Sequence, residues 1–116
     1  LLGETTRKKR PVVVQDVERM MNAADPEGVA RALEAMGERP DSTHLLEKIQ
    51  VPALVLCGEE DTLTPVSEAR SMAGKLPRSK LALIPGAGHL ANMENPKEFN
   101  QQLLAFLCPG LVLAPA

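Results

Sequence analysis

The sequence predicts an α/β fold in which a parallel β-α-β-α unit follows a set of helices. Residues 51–57 and 80–84 form two short, almost uninterrupted apolar runs, which are typical of strands buried on both faces of a parallel sheet. A helical pattern lies between them, and parallel crossovers are right-handed in nearly all proteins. We therefore expect the two strands to lie side by side, with the intervening helix covering one face of the sheet.

The helices predicted before the first strand begin with residues 12–24. Valines and methionines recur there at helical spacing, at Val13, Val17, Met20 and Met21. Side chains three and four residues apart share one face of a helix, so we expect this stripe to pack into the core. Met also adapts to irregular shapes, which leaves the lining of a substrate pocket as the alternative.

A second helix is predicted to begin after Asp25. Asp is a favoured N-cap, and Pro26 fits the first helical position because its missing N–H would have no partner there. Gly37 and Pro40 are typical of a helix end. The apolar stripe of this helix comprises Val29, Leu33 and Met36. We expect a short turn capped by residues 41–43 to lead on towards the first strand.

A run of cations, Arg-Lys-Lys-Arg, occupies residues 7–10. Such a run could bind an anion or a membrane surface. Charge runs are usually solvated, however, and little apolar sequence flanks this one. We therefore expect an exposed loop or helix end.

Two further helices are predicted in the second half of the chain. Thr64 and Pro65 repeat the N-cap and proline pattern, and Asn95 and Pro96 repeat it again. The side chains of the last helix that we expect to face inward are Phe99, Leu103, Phe106 and Leu107.

Composition and charge indicate a small folded protein and speak against nucleic-acid binding and a membrane span. The 116 residues are 44% hydrophobic with a net charge of −2, which fits a small folded domain and does not indicate nucleic acid as a partner. No apolar run approaches the roughly 20 residues that cross a bilayer, so no membrane span is expected. Cys57 and Cys108 do not resemble a disulfide framework or a nucleophile site, and we expect a reducing, cytoplasmic location.

Neither a cofactor nor a metal site is predicted. Residues 86–88, Gly-Ala-Gly, lack the third glycine and the helix position that dinucleotide binding needs. His44 and His89 lie far apart in the sequence, and no cysteine or carboxylate cluster has metal-site spacing. We expect His44 to be a surface residue in a capped turn.

One acid and one histidine follow the predicted strands, Asp61 after the first and His89 after the second. In open α/β sheets, ligands bind at the edge where parallel strands end. We therefore expect a catalytic pair in which Asp61 accepts a hydrogen bond from one ring nitrogen of His89 and the other nitrogen acts as general base, then general acid. The alternative is structural: Asp61 caps N–H groups of its turn, and a backbone carbonyl satisfies His89.

At these residues the chain resembles the α/β-hydrolase superfamily. The matching features are residues 51–65, with Gly58, Asp61 and Pro65 in the family's places, and the Gly-Ala-Gly-His turn that ends at His89. The sequel, residues 90–96, is most similar to that of the enol-lactone hydrolases of the β-ketoadipate pathway. The resemblance implies a serine hydrolase acting on a small carboxylic ester or lactone, with Asp61 as triad acid and His89 as base.

The resemblance also implies a division of the chain. Residues 1–40 are similar to the end of the lid that this family inserts over its active site, and residues 41–107 to the C-terminal part of the hydrolase core. Residues 108–116 fit no packed element, and we expect a disordered tail. The start has neither an initiator Met nor a signal-peptide pattern, so we expect a piece of a longer protein.

The nucleophile that this chemistry needs has no candidate in the sequence. The family's motif is Gly-x-Ser-x-Gly, and its chain order is Ser, acid, His. Flanking glycines are absent at every serine, namely Ser42, Ser67, Ser71 and Ser79. We therefore expect the chain alone to be inactive. The alternative function is a non-catalytic interaction module, in which the open edge of strand 51–57 pairs with a second copy or with the missing N-terminal portion.

Overall fold

The computed structural model describes residues 1–110, which form an α/β structure. Its elements are α1 (Glu4–Lys9), α2 (Pro11–Ala23), α3 (Pro26–Glu38), a 3₁₀ turn (Thr43–Lys48), β1 (Ala53–Gly58), α4 (Val66–Lys75), β2 (Ser79–Ile84), α5 (Ala91–Glu94) and α6 (Pro96–Leu107). The predicted fold class and the β-α-β-α order are confirmed. Of the predicted tail, residues 111–116 lie outside the described residues.

The sheet consists of β1 and β2, which pair in parallel with Ala53 opposite Ser79 and Gly58 opposite Ile84. Helix α4 packs against both strands, and both strands end at the same edge. Within residues 1–110, β1 has a hydrogen-bonded neighbour on one side only. The predicted full burial of β1 is therefore wrong for residues 53–56, which are half-buried because no described element covers that side.

The core lies where the sheet meets the chain after β2. Ile84, Ala87 and Ala91 are buried there, and Leu56 and Phe99 pack against them. Since Ala87 belongs to the turn before His89, this buried cluster directly supports that turn.

Two of the three predicted helix caps are confirmed. The Asp25 side chain accepts a hydrogen bond from the Gly28 N–H at 3.0 Å. The Asn95 side chain accepts one from the Glu98 N–H at 3.3 Å. The prediction for Thr64 is wrong, because α4 begins after Pro65 without a side-chain cap, and the Thr64 hydroxyl donates to Asp61 instead.

Several side chains predicted to face the core are exposed. Val17 is buried, whereas 59% of Met20 and 60% of Met21 is exposed on the same helix. The other exposed members of the predicted stripes are Val29, Leu33, Met36 and Leu107. Periodicity identifies the apolar face of a helix but not what covers it, and no described element packs over these faces.

The basic run ends helix α1, with Arg7, Lys8 and Lys9 in its last turn, and it is exposed as predicted. Among residues 1–110, no helix combines the length and the apolar character needed to cross a membrane.

Candidate active site

Asp61 and His89 lie together at the edge where β1 and β2 end. Strand β1 ends at Gly58 and β2 ends at Ile84, so each side chain follows its strand within a short loop. The Asp61 Oδ2 and His89 Nδ1 atoms are 3.0 Å apart, although 28 residues separate the two in sequence. The parallel pairing thus produces the proximity that the sequence predicted.

The Asp61 carboxylate is held by several donors. Its Oδ1 atom accepts from the N–H groups of Leu63 and Thr64 at 2.9 and 3.0 Å, and its Oδ2 atom accepts from the Thr64 hydroxyl at 2.9 Å. Burial on its own raises the pKa of the carboxyl, but the hydrogen bonds from Thr64, His89 and Leu63 outweigh it and hold the pKa below its ordinary value. Asp61 therefore stays ionised near neutral pH. It caps its own turn, as the structural alternative proposed, and also contacts His89.

The contact with Asp61 determines the tautomer of His89. An ionised carboxylate can only accept hydrogen bonds, so Nδ1 must carry the proton at this contact. In the neutral ring Nε2 is then free to accept a proton. The His89 side chain is 37% exposed whereas the Asp61 side chain is 6% exposed, so the basic nitrogen belongs to the more accessible partner. The Thr64 hydroxyl lies 3.3 Å from Nδ1 and was not identified as a site group from the sequence.

A close backbone approach brings the two loops together. A Cβ atom at Gly58 would lie 2.2 Å from the Gly88 carbonyl oxygen and 2.3 Å from that of Ala87. Only glycine fits there. The turn after β2 also needs Gly86, whose φ of 64° lies in the left-handed region.

Glu94 is a second buried acid that the sequence analysis did not identify. It is 2% exposed, and its carboxylate accepts hydrogen bonds from the N–H groups of Gly88 at 2.9 Å, Leu90 at 3.0 Å and Gly3 at 2.7 Å. Gly88 and Leu90 flank His89 directly. The only sequence signal was an acid five residues after the histidine, which by itself is typical of an exposed helix residue.

The first residues of the chain also contact the site, although the sequence assigned them to the lid. The His89 N–H donates to the Leu1 carbonyl oxygen at 2.7 Å, and the Thr5 N–H donates to Glu60 Oε2 at 2.8 Å. The Thr5 hydroxyl and N–H hold the pKa of Glu60 below its ordinary value. Residues 1–6 therefore bridge the loop of Asp61 and the loop of His89.

The other candidate groups form no described hydrogen bond with either side chain of this pair. His44 is exposed in the 3₁₀ turn, as predicted. Cys57 is buried, and burial followed by the nearby Asp61 charge raises the pKa of its thiol, which disfavours the nucleophilic thiolate. Within residues 1–110, no group of three or more potential metal ligands comes together. A groove of about 700 Å³ runs between β1 and α4 and reaches Asp61 and Thr64.

In the comparison with protein families, residues 11–96 match the alpha/beta hydrolase fold. The match includes both strands, Asp61 and His89.

Individual proteins match over most of this chain. The chain is 37% identical over 102 residues to the dihydrolipoyllysine-residue acetyltransferase component of the acetoin cleaving system of Pseudomonas putida, covering 83% of this chain and 26% of that protein. A thermophilic esterase from Thermogutta terrifontis, solved with malate bound, has a TM-score of 0.89 and 42% identity, covering 92% of this chain and 39% of that one. Est816, described as an N-acyl homoserine lactone degrading enzyme, has a TM-score of 0.75 and 27% identity, covering 90% of this chain and 42% of that one. The chain thus spans 26% to 42% of the length of these relatives.

Proposed function

The chain belongs to the alpha/beta hydrolase fold family, and on that premise we propose that it is the acid–base part of a serine hydrolase acting on a small carboxylic ester or lactone. The observation that carries the proposal is the 3.0 Å contact between Asp61 Oδ2 and His89 Nδ1. Asp61 is the triad acid and His89 is the general base. The Thr64 hydroxyl and two loop N–H groups hold the acid in place.

The proposed reaction uses His89 twice. Its Nε2 atom takes the proton of a serine hydroxyl while the serine oxygen bonds to the substrate carbonyl carbon. The same proton then passes to the leaving oxygen as the carbon–oxygen bond breaks, and a water molecule repeats the sequence to release the acid. Asp61 keeps the ring in the Nδ1–H tautomer and stabilises the imidazolium that forms between the two transfers.

The serine comes from another part of the protein in this proposal. None of the 116 residues lies in a Gly-x-Ser-x-Gly motif, and the chain spans 26% to 42% of its relatives. We therefore propose that the chain is the C-terminal portion of a longer hydrolase, with residues 1–40 from the lid region and 41–107 from the core. Because residues 1–6 contact the His89 loop, the lid assignment applies best to the helices after them.

The substrate class is supported by the relatives. The Thermogutta terrifontis protein is an esterase, and Est816 is described as degrading a lactone. Both substrates present a carbonyl carbon bonded to oxygen, which suits the proton transfers described for His89. A small ester or lactone is therefore the substrate class that we propose.

A second part of the proposal concerns association. The outer edge of β1 carries no described partner, and the half-buried residues 53–56 border the groove between β1 and α4. An unpaired strand edge beside apolar side chains recruits another strand. We propose that the rest of the protein occupies this edge, and that a second copy does so when the rest is missing.

The free thiols of Cys57 and Cys108 support a reducing, cytoplasmic location.

The test is turnover of activated short-chain esters and lactones by the complete protein. His89→Ala should lower kcat by several orders of magnitude, and Asp61→Asn by about 10⁴-fold, because the amide favours the wrong tautomer. His44→Ala is the matched control, since His44 is exposed in the 3₁₀ turn and forms no described hydrogen bond with the pair. Wild-type rates in both site variants would refute the assignment.

A further inference from the structure

Glu94 lies beside the proposed acid–base pair but contacts neither of its side chains in the described hydrogen bonds. Its Oε2 atom accepts from the N–H groups of Gly88 and Leu90, and its Oε1 atom accepts from the N–H of Gly3. With 2% exposure, it is a buried carboxylate that uses both oxygens on backbone donors. Burial of a carboxylate costs folding free energy unless hydrogen-bond donors compensate for the lost water. The three backbone donors supply that compensation, so the role of Glu94 follows from what they belong to.

We propose that Glu94 is a positioning residue for His89, an inference that rests on the proposed function of the pair. The two N–H groups bound to Oε2 belong to the residues on either side of His89. One carboxylate oxygen therefore fixes the backbone at both ends of the histidine. Charge-assisted hydrogen bonds of this kind are about twice as strong as neutral ones.

Helix capping does not explain these contacts. Leu90 is the N-cap residue of α5, so the bond from its N–H to Glu94 resembles one half of a capping box, without the reciprocal side-chain bond. The Gly88 and Gly3 N–H groups lie outside that helix, so their hydrogen bonds to Glu94 do not cap it. Their convergence on one carboxylate instead connects three segments: the turn before His89, the short helix after it and the start of the chain.

The start of the chain makes further contacts with the same loop. The His89 N–H donates to the Leu1 carbonyl oxygen at 2.7 Å, and the Arg10 guanidinium donates to the Glu94 carbonyl oxygen. A Cβ atom at Gly88 would lie 2.4 Å from the Gly3 backbone nitrogen, so the two segments are in direct contact. The Glu94 carboxylate thus adds a side-chain link between the His89 loop and residues 1–3, and its loss would weaken the hold on both.

Glu94→Gln is the variant that tests this in the complete protein. It keeps the shape of the side chain but places an NH₂ group against at least one of the three N–H donors. The single amide oxygen can still face Gly88 and Leu90, but a neutral acceptor binds them about half as strongly as the carboxylate does. We therefore expect the amides of Gly88 and Leu90 to exchange hydrogen about 10-fold faster. Turnover should fall by as much as about 100-fold at unchanged KM, because a displaced base affects the chemical step more than binding.

Glu98→Gln is the matched control, because Glu98 lies on α6 and accepts only from the Gln102 side chain among the described hydrogen bonds. It should leave kcat, KM and both exchange rates at wild-type values. A Glu94→Gln protein that melts earlier but keeps kcat, or whose exchange rises equally at all amides, would overturn the proposal in favour of a purely structural role.

The exchange measurement separates this proposal from the proposed function. If the complete protein shows no His89-dependent hydrolysis, the function fails, while selective acceleration at Gly88 and Leu90 still supports the hold of Glu94 on the His89 loop. If Glu94→Gln does not fold, hydrogen exchange of the wild-type protein tests the proposal instead. Gly88 and Leu90 amides that exchange as fast as exposed loop amides would overturn the proposal, and protected amides would support it.

Discussion

Substituting Gly58 by alanine should force the two loops of the candidate site apart. The new Cβ atom would lie 2.2 Å from the Gly88 oxygen, 2.3 Å from the Ala87 oxygen and 2.7 Å from the Ala87 carbonyl carbon. All three are backbone atoms, so no side chain can rotate away. Relief to an ordinary 3.4 Å contact needs a movement of 3.4 − 2.2 = 1.2 Å.

That movement acts directly on the proposed catalytic contact. Gly58 precedes the Asp61 loop, and residues 87–88 immediately precede His89. Opening the loops would lengthen the present 3.0 Å distance between Asp61 Oδ2 and His89 Nδ1 beyond hydrogen-bonding range. Overpacking of this kind costs about 1–3 kcal/mol of stability, and displacement of a catalytic group by about 1 Å can cost about 100-fold in rate.

Gly74→Ala is the matched control, because a Cβ atom there meets nothing within 4 Å. Gly74 lies in helix α4, where alanine is favoured over glycine by about 1 kcal/mol. Urea unfolding should therefore shift in opposite directions for the two variants, and ester turnover by the complete protein should fall only for Gly58→Ala. A Gly58→Ala protein with the unfolding midpoint and the turnover rate of the wild type would refute the close approach of the two loops.

Three further predictions follow from the site and the sheet. The folded-state pKa of Asp61 lies below its unfolded value of about 3.9, so its contribution to stability is complete above that value and is lost as pH falls through the folded pKa. Urea unfolding at decreasing pH should show the free energy of unfolding falling in the wild type and falling less in Asp61→Asn. The same pH dependence in both proteins would contradict this prediction. The isolated 116-residue chain should not hydrolyse activated esters above the buffer rate, because it has no candidate nucleophile; hydrolysis that disappears in His89→Ala would disprove this. The isolated chain should also form dimers or larger assemblies through β1, as measured by light scattering at micromolar concentration, and a stable folded monomer would count against the open edge.

Local signals in the sequence were sufficient to predict most elements. Asp25 and Asn95 cap the helices that follow them because an N-cap depends on a few neighbouring residues. The proximity of Asp61 and His89 could also be predicted, since adjacent parallel strands end at one edge of the sheet. The assignment of Thr64 as a cap was wrong because Pro65 occupies the N-cap position of α4, so the helix begins one residue later than the pattern predicted.

What the sequence could not indicate depends on contacts between distant residues. Glu94 is buried because Gly3, which is 91 residues away, folds onto it. The apolar stripes of α2 and α3 were recognised correctly as stripes, but Met20 and Leu33 remain exposed because periodicity does not reveal which partner covers a face. Residues 1–6 carry no pattern that distinguishes them from the helices that follow, although they contact the His89 loop.

Asp61 is proposed to hold His89 as a base whose Nε2 atom carries no proton. Nitrogen-15 NMR of the His89 ring in the complete protein, above the pH at which the ring loses its charge, tests this proposal most directly. We expect a proton on Nδ1, no proton on Nε2, and loss of this preference in Asp61→Asn. A proton on Nε2 in the wild type, or a ring that averages between tautomers in both proteins, would contradict it.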